Sequence, residues 1–170
     1  MIKQDIYENQ AKEVFLAIGS NLGDRFRNIE LAKIMLSNNR IKILKSSSFY
    51  ETLSWPDIKN PKFLNVVLKI KTNLKPLNLL YLCKKIEKSL GRKKSKKNSP
   101  RICDIDILDY CKRNENNGII LPHPRMHQRN FVLIPLFEIS KKWIHPKSKD
   151  HIKTLILKLS KKDITSIKQV

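Results

Sequence analysis

Apolar and polar positions along this chain follow two rhythms. Residues 14–18 form a short apolar run stopped by Gly19-Ser-Asn-Leu-Gly-Asp24, which predicts a buried strand entering a turn. Apolar positions then recur at helical spacing through Ile29, Ala32, Met35 and Leu36, with Asp24 placed to cap the helix and Asn38-Asn39 to stop it. Residues 41–52 alternate and are rich in Ser and aromatics, predicting a second strand. A loop holding Trp55-Pro56 and Asn60-Pro61 leads to a third strand over residues 63–70. Leu77, Leu80, Tyr81, Ile86 and Leu90 mark a second amphipathic helix between Pro76 and Gly91. Residues 102–108 are an apolar strand, 119–121 a short strand after a turn at 114–118, 131–139 a helix, and 152–159 a last amphipathic helix. The order β-α-β-β-α-β with short connections predicts an α+β protein of ferredoxin-like topology, a mainly antiparallel sheet with helices packed on it in three αβα layers.

Length and composition narrow this picture. At 170 residues the chain suits one domain, spanning 1–170 with a polar N-terminal extension over 1–13 and a helical tail over 147–170; two full enzyme domains do not fit. With 41% hydrophobic and 29% charged residues it has material for a core, which excludes wholesale disorder. Its formal charge of +20 predicts attraction to polyanions. The 35 cations, however, are 27 Lys spread from Lys3 to Lys168 and only 8 Arg, in a chain with three Ala, so much of the charge reflects a compositional drift toward Lys, Ile and Asn. The few Arg are the better guides to function, because the planar guanidinium grips phosphate bidentately. Cys83, Cys103 and Cys111 show no paired or metal-ligand spacing, which fits reduced thiols; with no secretory signal and no apolar run long enough to span a bilayer, a cytoplasmic, membrane-free protein is expected.

The most distinctive stretch runs from Lys88 to Cys103, with seven cations (Lys88, Arg92, Lys93, Lys94, Lys96, Lys97, Arg101) and no acid. Immediately afterwards Asp104 and Asp106 stand two apart in an apolar strand, so they project from one face about 7 Å apart. Two readings are open. The pair can salt-bridge the adjoining basic loop, or it can hold Mg²⁺, an ion that takes one or two carboxylates and leaves its other positions to water and phosphate. The adjacent Pro100-Arg101 and the acid-free loop favour the second reading, since metal, Arg and Lys together are what a triphosphate requires. Gly19-Ser-Asn-Leu-Gly-Asp24 lacks the GK[ST] ending of a P-loop and is assigned as a plain turn. His123 and His127 are four apart, but Pro124 and the lack of a third ligand argue against zinc.

Taken together, these residues resemble the 6-hydroxymethyl-7,8-dihydropterin pyrophosphokinase family. The resemblance runs from about Val14 to Pro146 and is carried by Ala17-Ile-Gly-Ser-Asn-Leu-Gly23, Ser47-Ser-Phe-Tyr-Glu-Thr52, Phe63-Leu-Asn65, Gly91-Arg92, Pro100-Arg-Ile-Cys-Asp-Ile-Asp-Ile107, Pro122-His-Pro124, Arg129-Asn-Phe131 and Pro135-Leu-Phe-Glu138. It implies transfer of pyrophosphate from ATP to the pterin alcohol, giving AMP, in folate biosynthesis. It further implies that Asp104 and Asp106 hold two Mg²⁺ ions and that Arg92 and Arg101 stabilise the transferring group. Glu87, Lys94, Ile107, His123 and Arg129 would complete the ATP site. Phe63 and Phe131 would sandwich the pterin ring, Asn65 would bind its polar edge, and Thr52, Leu53 and Trp55 would add contacts. Two phenyl rings stacked on a flat heterocycle gain burial on both faces, and an Asn amide offers both the donor and the acceptor that such an edge needs. The expected partners are ATP and the pterin alcohol, with the enzyme a monomer and no nucleic acid bound. Pro124 stands where an aromatic occurs in the family, and Asn98-Ser99 where a Trp-Gly pair is frequent.

A rival from another class is a small RNA-binding module, since +20 on a ferredoxin-like sheet suits RNA. Such modules carry an RNP pattern of aromatics on central strands, and no such pattern exists here.

Overall fold

The computed structural model describes residues 10–54, 57–93, 96 and 98–170. Strand β1 (Lys12–Ser20) lies at the centre of an antiparallel sheet, paired with β4 (Phe63–Thr72) on one side and β5 (Asp104–Tyr110) on the other. Beyond β4 come β2 (Lys42–Ser46) and β3 (Tyr50–Thr52), both paired with β4, and then the short β6 (Lys168–Gln169) at the edge of β3. Helices α1 (Arg25–Asn38) and α2 (Pro76–Ser89) cover one face; α3 (Asn130–Ile139) and α4 (Ile152–Leu157) cover the other, and α5 (Lys161–Ser166) precedes β6. The ferredoxin-like order and the αβα layering match the expectation.

Alternation along the strands produces the layers. Val14, Leu16 and Ile18 of β1, Leu64, Val66, Leu68 and Ile70 of β4, and Ile105 and Ile107 of β5 form one core with Ile29, Ala32 and Leu36 of α1 and Leu79, Cys83 and Ile86 of α2. Phe15, Val67 and Leu108 face the opposite way and pack with Val132, Leu133, Leu136, Trp143, Ile152 and Leu155. A register shift opposite Phe15 and Leu16 lets β5 carry one extra residue. Asp109 is therefore buried beneath Trp143, whose indole N–H donates to its carboxylate at 2.8 Å.

Several element boundaries differ from the sequence reading. The predicted second strand is two strands, because β2 shifts register on β4 between Ile43 and Lys45, and Ser47 then leaves the ladder: its amide donates to the Val67 carbonyl while its Oγ accepts from the Val67 amide. Residues 119–121 form no strand, since only the reciprocal Glu115–Leu121 bridge closes that turn. The predicted last helix ends at Leu157, and α5 and β6, capped by Ser160, replace the expected continuous tail. The N-terminal polar lead is shorter than predicted, as β1 already begins at Lys12. The Asp24 cap holds, its carboxylate accepting from the Arg27 amide at 3.0 Å. Among the described residues no helix is long and apolar enough to cross a membrane. All three cysteines are free thiols; burial pushes Cys83 and Cys103 up to about 12.

Candidate active site

Sheet register assembles the site. Asp104 of β5 lies opposite Gly19 of β1, which lies opposite Asn65 of β4, which lies opposite Tyr50 of β3. These four form one row across the sheet, with strands about 4.8 Å apart. The next row holds Asp106, Ala17 and Val67. Since Ile105 and Ile107 point into the α1/α2 core, the intervening Asp104 and Asp106 point to the α3 face. There α3 begins only at Asn130, so the C-terminal end of β1 and its neighbours remain partly open: Asp104 and Asp106 keep 24% and 33% of their side-chain surface.

Arginines converge on this pair from three segments. Arg92, just past the end of α2, donates through Nη1 to Asp104 Oδ1 at 2.6 Å and also contacts Glu87. Arg101 donates to the other oxygen, Asp104 Oδ2, at 2.9 Å. Arg129, at the entry to α3, donates to Asp106 Oδ2 at 3.2 Å. Burial alone would lower the Arg92 guanidinium, but Asp104 and Glu87 hold it above its ordinary value; for Arg129 burial prevails over Asp106 and the shift is downward. His123 Nε2 stands 3.8 Å from Asp106 Oδ2. Its Nδ1 accepts from the Arg125 amide at 3.2 Å, which leaves the proton of the neutral ring on Nε2, facing the carboxylate. Burial pulls the His123 imidazole below its ordinary value despite Asp106, so at neutral pH the ring is uncharged. The salt-bridged reading of the Asp pair is thus realised, but by partly exposed arginines that a phosphate chain can recruit.

Glu87 occupies a different place from the other predicted ATP-site residues. It is 1% exposed, and its Oε1 accepts from the Ile105 amide at 2.7 Å and from Lys84 at 2.8 Å while its other oxygen meets Arg92. A carboxylate buried this deeply needs such partners, and these fix the start of β5 and the root of the basic loop. Ile107 likewise buries its side chain in the α1/α2 core, away from the open face. Lys94 and Trp55 lie outside the described residues.

At the other end of the row the groups are neutral. Asn65 Nδ2 donates to Thr52 Oγ1 at 3.0 Å and to the Tyr50 carbonyl at 3.4 Å, and among the described residues no donor reaches its Oδ1. Thr52 is 4% exposed and opposite Phe63 in the ladder, whereas Leu53 is exposed. Phe63 and Phe131 are both partly exposed on this face, and the Arg129 guanidinium lies 5.3 Å from the Phe131 ring centroid. Gly19 forms the floor between the charged and neutral ends. A Cβ there would stand 3.1 Å from Asn65 Oδ1 and 3.4 Å from Phe63, so only glycine leaves the space free.

Asn21 is a site residue that sequence reasoning missed, having assigned its segment as a plain turn. It is 2% exposed; its Nδ2 donates to the Pro61 carbonyl at 3.1 Å, and its Oδ1 accepts from the Arg101 amide at 2.7 Å. Its own amide donates to the Arg101 carbonyl at 3.1 Å. One buried amide thus ties the turn after β1 to Arg101 and to the loop before β4. The available signal was a polar residue directly after a buried strand, beside two glycines.

Residues 15–141 match the family described as 7,8-dihydro-6-hydroxymethylpterin-pyrophosphokinase (HPPK). Among curated proteins the chain is similar to the 2-amino-4-hydroxy-6-hydroxymethyldihydropteridine pyrophosphokinases of Bacillus subtilis, 42% identical over 74% of this chain and 76% of that protein, and of Aquifex aeolicus, 42% identical over 78% and 83%. It is 41% identical over 82% of its length to the folic acid synthesis protein fol1 of Pneumocystis carinii, of which it spans 19%. In three dimensions it is similar to the Plasmodium falciparum HPPK-DHPS wild-type structure, with a TM-score of 0.74 at 16% identity, covering 95% of this chain and 45% of that one. The chain therefore spans about a fifth of the longer curated relatives and under half of that structure.

Proposed function

The chain belongs to the 7,8-dihydro-6-hydroxymethylpterin-pyrophosphokinase family, and on that premise we propose that it transfers pyrophosphate from ATP to 6-hydroxymethyl-7,8-dihydropterin, releasing AMP, as a single catalytic unit over residues 1–170. The observation that carries this reading is the row Asp104–Gly19–Asn65. It sets an oxygen-donor clamp ringed by three arginines about two strand spacings from an amide whose Oδ1 accepts from no donor among the described residues.

The donor set fits magnesium: two carboxylates on one strand face, partly open, and among the described residues no group of three His, Cys, Asp or Glu side chains placed to hold a metal, which leaves positions for water and phosphate oxygens. Bound there, Mg²⁺ supplies charge neutralisation for the triphosphate. The protein's own groups do the positioning. The aromatic faces of Phe63 and Phe131 hold the pterin, and Asn65 turns its Oδ1 toward a ring N–H while Thr52 fixes the amide's orientation. Gly19 lets the hydroxymethyl arm lie flat along the floor toward Asp104. Arg92 and Arg101 leave Asp104 for the phosphates, and Arg129 and the His123 Nε2–H approach them from the opposite side. In-line attack of the hydroxyl oxygen on the β-phosphorus forms the new P–O bond and breaks the bond to the α-phosphate oxygen, which leaves as AMP; the hydroxyl proton passes to solvent or phosphate. Such a reaction depends chiefly on orientation and charge stabilisation.

The test is AMP release from ATP with the pterin alcohol, with and without Mg²⁺. AMP formation that requires both sustains the proposal. Salt-sensitive RNA binding with no AMP release would instead favour the RNA-module reading.

A further inference from the structure

The C-terminal segment after α4 makes contacts that its own burial does not explain. No residue of α5 is buried, so apolar packing does not hold it. What holds it is a set of polar contacts to two separate places. At the first, Asn130 is 9% exposed and donates from Nδ2 to the Asp163 carbonyl at 2.6 Å and to Ser166 Oγ at 3.2 Å, while its Oδ1 accepts from the Phe131 amide at 2.7 Å. The tail thereby orients the side chain that accepts from the Phe131 amide in the first turn of α3, between Arg129 and Phe131. At the second, Lys168 and Gln169 pair with Glu51 and Tyr50, the Val170 amide donates to the Phe49 carbonyl at 3.0 Å, and Gln169 Nε2 donates to Ser48 Oγ at 3.0 Å. Strand β3, which this tail pairs, carries Thr52, the partner of Asn65.

These two places are the opposite walls of the pterin pocket proposed above. They are already joined by the packing of α3 on β4 and, at the far end of α3, by Glu138, which accepts from the Ser48 amide and from Tyr50 at 3.0 Å each. The tail adds a second polar link, from the first turn of α3 to β3. We propose that residues 160–170 form a clasp that sets the separation of the two pterin-binding walls, with Asn130 and Ser166 as positioning residues that never touch substrate. The inference rests on the assignment of that pocket to the pterin.

A chain ending at Leu159 and a full-length Ser166→Ala/Val170→Pro variant test the clasp; the second removes one anchor at each wall. The truncated chain is expected to raise the KM for the pterin alcohol about tenfold while the KM for ATP stays within about twofold. Amide exchange without substrates should accelerate at Phe131 and across Tyr50–Thr52, and remain unchanged at Leu16 in the sheet centre. A pterin KM equal to that of the parent, or equal rises in both KM values, overturns the clasp. If truncation abolishes folding, judged by lost far-ultraviolet dichroism, the double variant decides by the same criteria. A parent chain that releases no AMP overturns the pocket assignment instead, and the exchange rates still decide whether the tail holds the two walls.

Discussion

At the Asp104 end of the central row the hydrogen bonds of the two carboxylates are ionic and come from three different segments, whereas at the Asn65 end the hydrogen bonds of the Asn65 amide are neutral and stay within neighbouring strands. Arg92, Arg101 and Arg129 reach their carboxylates from the end of α2, the basic loop and the entry to α3. Asn65 meets the Thr52 hydroxyl and the Tyr50 carbonyl across β3 and β4. The first end can exchange its partners when a polyanion arrives, because charge attracts without fixing geometry closely; the second is set by the ladder itself and suits recognition of a rigid ring. On the proposed function the charged end serves the chemistry and the neutral end substrate choice, and variants at the two ends should separate in kinetics.

The largest effect is expected at the carboxylates. Asp104→Ala or Asp106→Ala should lower kcat for AMP release by roughly a thousandfold or more, with the fold retained in circular dichroism and pterin affinity little changed. Arg101→Ala, and then Arg92→Ala, should slow the single-turnover step by about a hundredfold. Pterin binding measured by calorimetry should stay within about threefold for both, and a comparable loss of pterin affinity would break the division. At the neutral end Asn65→Ala should raise the pterin KM by about ten- to thirtyfold, the scale of one or two lost hydrogen bonds, with a smaller change in kcat. Gly19→Ala, whose Cβ would stand 3.1 Å from Asn65 Oδ1, should raise the same constant by about three- to tenfold.

The smallest effect concerns pH. The His123 imidazole is lowered from 6.5 by burial, so its stabilising contribution is fully present above 6.5 and fades as pH falls through its folded value. An NMR titration of the His123 ring should show a midpoint below 6.5; a midpoint above it would mean that Asp106 outweighs burial and that His123 belongs with the charged partners.

Much of this arrangement is legible in the sequence, for reasons that differ by residue. The strands of residues 14–18 and 63–70 and the Asp104/Asp106 spacing are local patterns, and a period of two predicts which face each side chain takes. The split of the second strand depends on Ser47 exchanging hydrogen bonds with Val67, twenty residues away, which no local pattern reveals. Glu87 looks like any acid on an amphipathic helix; its burial under Ile105 and Arg92 arises only when α2 docks on β5. Asn21 and Asn130 are polar residues beside turns, and their ties to Arg101 and to Asp163 span 80 and 33 positions.

The central claim is that one row of the sheet joins a triphosphate clamp to a pterin pocket. It is tested most directly by following AMP and pterin diphosphate together from ATP and the pterin alcohol, with and without Mg²⁺, in the parent chain and in Asp106→Ala. The account predicts equimolar AMP and pterin diphosphate from the parent only when magnesium is present, and neither from the variant. Formation of ADP in place of AMP, or undiminished turnover by the variant, would contradict it.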